Sequence, residues 1–312
     1  MLLPILVSFL ALLSVSAAQG NAFGQLGQQA AARQARRSAQ IQNVKALHDS
    51  TIWPGSTVAL QQLEAGNMDA LPFMANDARG QIWPLGHFEG KLAVGEYYYG
   101  LSGPLPNGPP VPIYIGAVTY QKPVTCDENV CSSYVVYNMM ATGTNFVVAN
   151  LTHHSTFFMD ADDRIAGFLV TFENLGRNSL QNTIPAQLPQ PWAGQYANAT
   201  TEGGRIDVVN DFVVRAVICP THEAICRPTG NAVYADAAEC VTTLLARSLA
   251  SWEVANARNN HCGYVHSRMI PANPGMHCSH IGPDDPMKCR PDTPTYWYDR
   301  VPAIVATVDP EW

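Results

Sequence analysis

The stretch that decides the fold is FVVANLTHHSTFFMDADDRIAGFLVTFE, residues 146–173. Two runs rich in β-branched and aromatic residues, 146–159 and 165–173, enclose the acidic stretch 160–164. Runs of this length and composition, separated by a short polar stretch, are typical of paired strands joined by a turn. The sequence therefore predicts a long two-stranded unit at this point.

The rest of the chain adds strands before this unit and helices on both sides of it. Residues 113–120 and 133–141 have the same strand-like composition, and 92–101 has helical spacing with three consecutive tyrosines. Beyond a Pro- and Gly-rich stretch, residues 237–249 and 262–269 also have helical spacing. Separate runs of strands and helices predict an α+β protein.

The composition excludes several classes of protein. Only 14% of residues are charged, against roughly 25% in an average globular chain, and 47% are hydrophobic. A charge-rich disordered protein is therefore excluded. The net charge of -7 argues against a nucleic-acid-binding protein.

The amino terminus predicts secretion. Residues 1–18 form an apolar run that ends in small residues, as a signal peptide does before its cleavage site. The run is shorter than the roughly 20 residues that cross a membrane, so we expect cleavage near Gln19 and no anchor in the mature chain. We then expect a mobile leader or fraying helix start at 19–44, a first domain at 45–176, a linker at 177–204 and a Cys-rich region at 205–312.

All cysteines follow the signal peptide, and their even number predicts four disulfides made in an oxidising compartment. They are Cys126, Cys131, Cys219, Cys226, Cys240, Cys262, Cys278 and Cys289. Cys126 and Cys131 flank a polar stretch between two predicted strands, which favours a disulfide across a hairpin; the other pairings stay open. Sequons at Asn150 and Asn198 predict N-glycans if the host is a eukaryote.

Short motifs follow one another in a characteristic order between residues 45 and 176. They are Gly66-Asn67-Met68-Asp69, Phe73-Met74-Ala75-Asn76-Asp77-Ala78, Phe88-Glu89-Gly90-Lys91 and the strand unit quoted above. This order resembles the SnoaL-like branch of the nuclear transport factor 2-like superfamily. The resemblance implies a cone-shaped α+β fold, in which helices wrap a curved antiparallel sheet around an apolar pocket, and a homodimer through the sheet face. A small, disulfide-rich and mainly helical region would follow.

The resemblance also implies positions for the catalytic groups of ketosteroid-isomerase-like relatives. The general base would fall at Trp83, the oxyanion-binding acid at Ser155 and the first-helix tyrosine near Ala59. An indole cannot accept a proton, and none of the three positions holds the expected residue type. The ketosteroid isomerase mechanism is therefore not expected here.

With Ser155 facing inward, strand alternation places His153 and Phe157 inward as well. We expect these residues and Trp83 to line the pocket. The first hypothesis is a protein that binds a small apolar molecule there and needs no cofactor. The alternative is a lyase or isomerase in which His153 acts as base with polar help from Ser155. The competing explanation for His153 is a histidine that is simply hydrogen-bonded inside a strand.

A second hypothesis concerns the histidines of the C-terminal region. His277 and His280 are separated by two residues, and His266 could join them if Cys262 and Cys278 are bonded nearby. Three imidazoles can bind zinc or copper. The alternative is that they are ordinary polar residues of a Cys-rich loop. This region also resembles a Cys/His-rich extension of secreted fungal proteins, a resemblance that implies no activity.

Overall fold

A computed structural model describes residues 3–83, 86–106, 108, 113–141, 146–173, 185, 188–249 and 259–283, with the backbone alone for 3–24. The helices are α1 (Leu3–Ser50), α2 (Gly55–Glu64), α3 (Lys91–Gly100), α4 (Trp192–Asn198), α5 (Glu202–Phe212), α6 (Ala237–Leu245), α7 (Asn260–Met269) and α8 (Pro274–His280). A 3₁₀ turn covers Met68–Ala70, and α5 continues into a π-helical segment, Val213–Ile218, a short α-helical turn, Cys219–Thr221, and a second π-helical segment, His222–Cys226. The strands are β1 (Met74–Trp83), β2 (Gly86–Glu89), β3 (Ile113–Tyr120), β4 (Thr125–Asp127), β5 (Val130–Ala141), β6 (Val147–Met159) and β7 (Ile165–Glu173).

The strands form one mixed sheet with the order β2-β1-β7-β6-β5-β3, and β4 pairs with β5. The predicted α+β class is confirmed, as are the strands at 113–120, 133–141 and 165–173. The sheet differs from the expected antiparallel one in a single pair, because β1 runs parallel to β7. This pair joins the first strand to the last, so helix α3 and five strands lie between them along the chain.

Three apolar clusters form the core of the described chain. The first lies between the sheet and helices α1, α2 and α3, the second lies within the C-terminal helices, and a small third one contains Ile115, Val135 and Tyr137. Val265 and Met269 of α7 belong to the first cluster, whereas Tyr264 and Ile270 belong to the second. Helix α7 therefore contributes to both cores and holds the C-terminal region against the cone.

Two of the expected domain segments differ from the structure. The leader at 19–44 lies inside helix α1, where Arg36 forms an ion pair with Asp163 at 2.6 Å. Within the linker at 177–204, residues 192–198 form helix α4, and α5 begins at Glu202. The alternative of a helix start at 19–44 agrees with α1, although Gln, Ala and Arg give this helix no apolar stripe before residue 41, whereas α4 was not predicted. Cleavage near Gln19 stays a prediction.

Three disulfides lie in the described part of the chain. They join Cys126 to Cys131, Cys219 to Cys240 and Cys226 to Cys278. The predicted hairpin disulfide is confirmed, since Cys126 and Cys131 are directly opposite each other on β4 and β5. Among the pairings that the sequence left open, Cys278 is bonded to Cys226; Cys262 is also disulfide-bonded, and Cys289 lies outside the described residues. These disulfides are consistent with an extracellular protein.

Both predicted glycosylation positions are exposed. Asn150 lies on β6, where its side chain accepts a hydrogen bond from Asn138, and Asn198 is the last residue of α4. Among the described helices, none has an apolar stretch long enough to cross a membrane.

The close approach of β1 and β7 gives a test of the fold. A Cβ added at Gly80 would overlap the backbone oxygen and ring of Phe168 on β7, whereas a Cβ at Gly203, in the first turn of α5, would meet open space. We expect Gly80→Ala to lower the free energy of unfolding by about 1–3 kcal/mol through overpacking. Gly203→Ala should leave it unchanged or raise it by up to about 1 kcal/mol. Denaturant titration of the oxidised protein measures both, and equal effects would contradict the close approach of β1 and β7.

Candidate functional site

The inner face of β6 carries the residues that the sequence predicted for the pocket. His153, Ser155 and Phe157 are all buried, while His154 points outward with about half of its side chain exposed. The predicted alternation of these side chains is confirmed. Trp83 ends β1 opposite Thr171 of β7 and is only half-buried, so it does not belong to the fully buried set.

A second buried histidine, His48 of α1, faces the same interior. Its Nδ1 lies 2.7 Å from the hydroxyl of Tyr137, and its Nε2 lies 2.7 Å from the hydroxyl of Ser133. The Ser133 hydroxyl lies 2.6 Å from that of Ser155. The sequence analysis missed His48, although Val44, Leu47, His48 and Thr51 have the i, i+3, i+4, i+7 spacing of one buried helix face.

His153 lies beside His48, with ring centroids 5.0 Å apart in an edge-on arrangement. Its Nε2 is 3.3 Å from the hydroxyl of Tyr98 on α3. Its Nδ1 has no hydrogen-bond partner among the described residues. The rings of Tyr137 and Phe172 lie 5.3 Å and 5.0 Å from the His153 ring. The site therefore combines an acceptor atom that is buried without a partner with aromatic walls.

Burial keeps both imidazoles neutral. It lowers the pKa of His48 to about 3 and, together with the nearby His48 ring, holds the pKa of His153 well below its usual value. Burial likewise raises the pKa of Tyr98 and Tyr137 above the ordinary value for phenols. At neutral pH the cone interior thus contains neutral proton acceptors and protonated hydroxyl donors.

The predicted pair of His153 and Ser155 shares a face of β6 but not a hydrogen bond. The Ser155 hydroxyl is bonded to Ser133, and through Ser133 it connects to His48. The structure thus places Ser155 in the hydrogen-bonded chain of His48 rather than beside the acceptor atom of His153.

The C-terminal histidines form a second polar cluster. Asn259 caps α7 by accepting from the backbone of Cys262, and Asn273 caps α8 by accepting from the backbone of Met276. Both caps use the residue type preferred at a helix start. The three histidines, His266 on α7 and His277 and His280 on α8, are buried, and their ligand atoms lie within 4.8 Å of one another. They form a group that could hold a metal ion.

Two residues of α3 hold the histidine cluster from the cone side. Glu96 lies 3.2 Å from Nε2 of His277 and accepts from the side chain of Asn273 at 3.0 Å. The Tyr97 hydroxyl lies 3.1 Å from Nε2 of His266. Burial opposes ionisation of Glu96, but hydrogen bonds from His277 and Asn273 outweigh it and keep its pKa below the usual value.

Comparisons with known proteins find one family model and relatives from Aspergillus that are similar to this chain. Residues 178–290 match the family described as "BfoA family C-terminal domain", little more than a third of the chain. "Aurasperone B biosynthesis cluster protein A" of Aspergillus niger is 25% identical over 248 residues, which are 78% of this chain and 74% of the relative. "Bifonsecin B biosynthesis cluster protein A" of Aspergillus brasiliensis is 24% identical over 248 residues, 78% of this chain and 76% of the relative.

Solved structures with similar backbones cover about half of the chain. An LEH-like epoxide hydrolase of M. tuberculosis has a TM-score of 0.32 and 13% identity, covering 49% of this chain and 98% of its own. A protein of the SnoaL-like family from Agrobacterium tumefaciens has a TM-score of 0.30 and 10% identity, covering 43% and 97%. TM-scores of this size do not establish a common fold, so the architecture rests on the strand order and helices of this chain.

The neutral buried histidines predict a loss of stability in acid. A histidine whose folded pKa is lowered binds protons preferentially in the unfolded chain, so stability is full above the unfolded pKa and falls as pH drops below it. For His48 this window runs from pH 6.5 to about pH 3. Within it, the free energy of unfolding falls by about 1.4 kcal/mol for each pH unit.

We therefore expect His48→Gln to reduce the slope of unfolding free energy against pH within that window, whatever its effect at neutral pH. Urea titrations of the oxidised protein at several pH values measure the slope. The exposed His154→Gln serves as the control. An unchanged slope in the His48 variant would show that His48 is not a neutral buried group.

Proposed function

We propose that the interior of the cone binds a small, largely apolar molecule and carries out acid–base chemistry of the lyase or isomerase type on it. The observation that carries the proposal is the Nδ1 atom of His153, which is buried and has no hydrogen-bond partner among the described residues. Buried polar atoms nearly always have a partner, and an exception calls for a ligand, a water or a chemical role.

The surroundings of His153 suit a proton acceptor. A neutral imidazole carries one N–H and one free lone pair. If Nε2 donates to the Tyr98 hydroxyl, 3.3 Å away, the lone pair is left on Nδ1. That atom could then accept a hydrogen bond from a bound molecule or remove a proton from it.

The His48 chain supplies further hydroxyl groups close to His153. His48 contacts Tyr137 and Ser133 at 2.7 Å each, and Ser133 contacts Ser155 at 2.6 Å. A neutral His48 must donate to one hydroxyl and accept from the other, so its tautomer sets the direction of the chain. Hydroxyls oriented in this way could donate to an oxygen of the bound molecule on which charge develops.

The walls of the interior and the relatives both support a small-molecule substrate. Phe157 and Phe168 are fully buried, and the ring of Phe172 lies against His153. Aromatic walls with a few polar groups favour a small, largely apolar ligand. The relatives from Aspergillus are named for the biosynthesis clusters of aurasperone B and bifonsecin B, and a role in small-molecule biosynthesis agrees with such an interior.

The second candidate is binding without turnover. It is favoured by the lack of a carboxylate among the described contacts of His153 and His48, because no anion is placed to stabilise an imidazolium. Here His153 would only accept a hydrogen bond from the ligand.

We also infer that the protein acts outside the cell, as a secreted glycoprotein. The three disulfides and the exposed sequons at Asn150 and Asn198 support this location. A homodimer through the sheet face, as the resemblance implies, is part of the same proposal.

Deuterium exchange tests the role of His153. The oxidised protein is incubated in D2O with a panel of small hydroxylated aromatic ketones, binding is detected by native mass spectrometry, and exchange at carbon is measured by mass. His153→Phe keeps a ring but removes the acceptor atom. We expect it to reduce exchange by about 10²–10⁴-fold, the usual contribution of a general base.

Binding of the same compounds should change much less in His153→Phe, and His154→Gln on the outer face should behave as the wild type. Binding with no exchange in the wild type would favour the second candidate. Exchange that survives in His153→Phe would exclude His153 as the base.

A further inference from the structure

We infer that the C-terminal region contains a mononuclear zinc site, formed by Nδ1 of His266, His277 and His280 and independent of the chemistry proposed for the cone. The three side chains come from two helices that pack against each other, and all three are buried. The sequence hypothesis grouped these residues by spacing, and the structure adds the geometry that decides between a metal site and a polar cluster.

The distances between the ring nitrogens fit a shared metal ion. Nδ1 of His266 lies 3.2 Å from Nδ1 of His277 and 3.1 Å from Nδ1 of His280. Zinc binds imidazole nitrogens at about 2.0–2.1 Å in a tetrahedron, which separates neighbouring ligand atoms by about 3.3 Å. Two of the three separations are therefore nearly those that one bound ion requires, and all three ligand atoms lie within 4.8 Å of one another.

A hydrogen bond on the far side of the His277 ring orients its lone pair inward. Nε2 of His277 lies 3.2 Å from the Glu96 carboxylate, so this nitrogen carries the proton and the lone pair is on Nδ1. On the far side of the His266 ring, Nε2 lies 3.1 Å from the Tyr97 hydroxyl, which can donate or accept. A carboxylate behind a metal-binding histidine is the usual way in which proteins fix its tautomer.

The short contacts at the centre of the cluster also suit a cation. With the His277 proton on Nε2, the lone pair on its Nδ1 points toward Nδ1 of His266, which in turn lies 3.1 Å from Nδ1 of His280. A cation at the centre would bind the lone pairs of all three nitrogens at once.

The chemistry of the donors selects the metal. Imidazoles suit zinc and copper, whereas carboxylate and carbonyl oxygens suit magnesium and calcium. The adjacent Cys278 cannot supply a thiolate, because it is bonded to Cys226. Three nitrogen ligands leave a fourth position for water or a small ligand, as in catalytic zinc sites. The buried Glu96 carboxylate supplies negative charge beside the dication.

Metal loading of the full, oxidised chain tests the site. The protein is treated with a chelator, dialysed against Zn²⁺ and then against metal-free buffer, and its zinc content is measured by mass spectrometry. We expect one zinc ion per chain. His277→Gln and His280→Gln should lose it, with affinity reduced at least 100-fold in a chelator competition, and His154→Gln should retain it.

Two further measurements keep the inference testable if a histidine variant fails to fold. Glu96→Gln leaves the three ligands in place and should weaken zinc binding by about 10–100-fold, as loss of an outer partner does. Co²⁺ bound to the wild type should show the visible absorption of a tetrahedral nitrogen site.

Less than a tenth of an equivalent of zinc in the wild type would overturn the inference. Full loading of the double variant His277→Gln/His280→Gln would also overturn it. Because no substrate is used, neither outcome bears on the function proposed for the cone.

Discussion

Helix α3 is buried on nearly every side, and this burial is the constraint on which the two sites depend. Residues 97–99 are three consecutive tyrosines, and buried hydroxyls require partners within the protein. Tyr97 meets His266 of the C-terminal region, Tyr98 meets His153 on the sheet, and Tyr99 meets Ser50 of α1. Successive side chains of a helix point about 100° apart, so one short helix reaches three neighbours. The position of α3 therefore fixes the contact of Tyr97 with His266 in the histidine cluster and the contact of Tyr98 with His153 inside the cone.

The same constraint makes the cone and the C-terminal region depend on each other. Glu96 is fully buried, and its contacts with Asn273 and His277 both come from the C-terminal helices. A buried carboxylate without such partners would be costly. Beside it, burial and the neighbouring Glu96 raise the pKa of Glu64 to about 8, so that Glu64 is held as the protonated partner of the pair. The separate domains suggested by the cysteine distribution are thus joined by polar contacts as well as by Val265 and Met269 of α7.

The sequence predicted those features that depend on local pattern. Strand alternation around Ser155 placed His153 and His154 on the correct faces, and the loop between Cys126 and Cys131 identified a disulfide. The missed features depend on contacts between distant residues. His48 meets Tyr137 across 89 positions, and Glu96 meets His277 across 181, so no local period connects them. The parallel pairing of β1 with β7 was missed for the same reason, because strand composition does not encode direction.

The two histidine groups show how surroundings assign different chemistry to one residue type. In the cone, the nitrogens of His48 face hydroxyls and Nδ1 of His153 faces none of the described polar groups. No carboxylate among the described residues contacts either ring, so burial leaves both neutral, and a free lone pair is available to a bound molecule. In the C-terminal region the Glu96 carboxylate accepts a hydrogen bond from Nε2 of His277, and the ligand nitrogens of the three histidines lie within 4.8 Å of one another. An environment without an anion keeps the imidazoles neutral, whereas convergent nitrogens backed by an anion suit a cation. The separation of roles follows from where Glu96 lies, on the face of α3 turned away from His153.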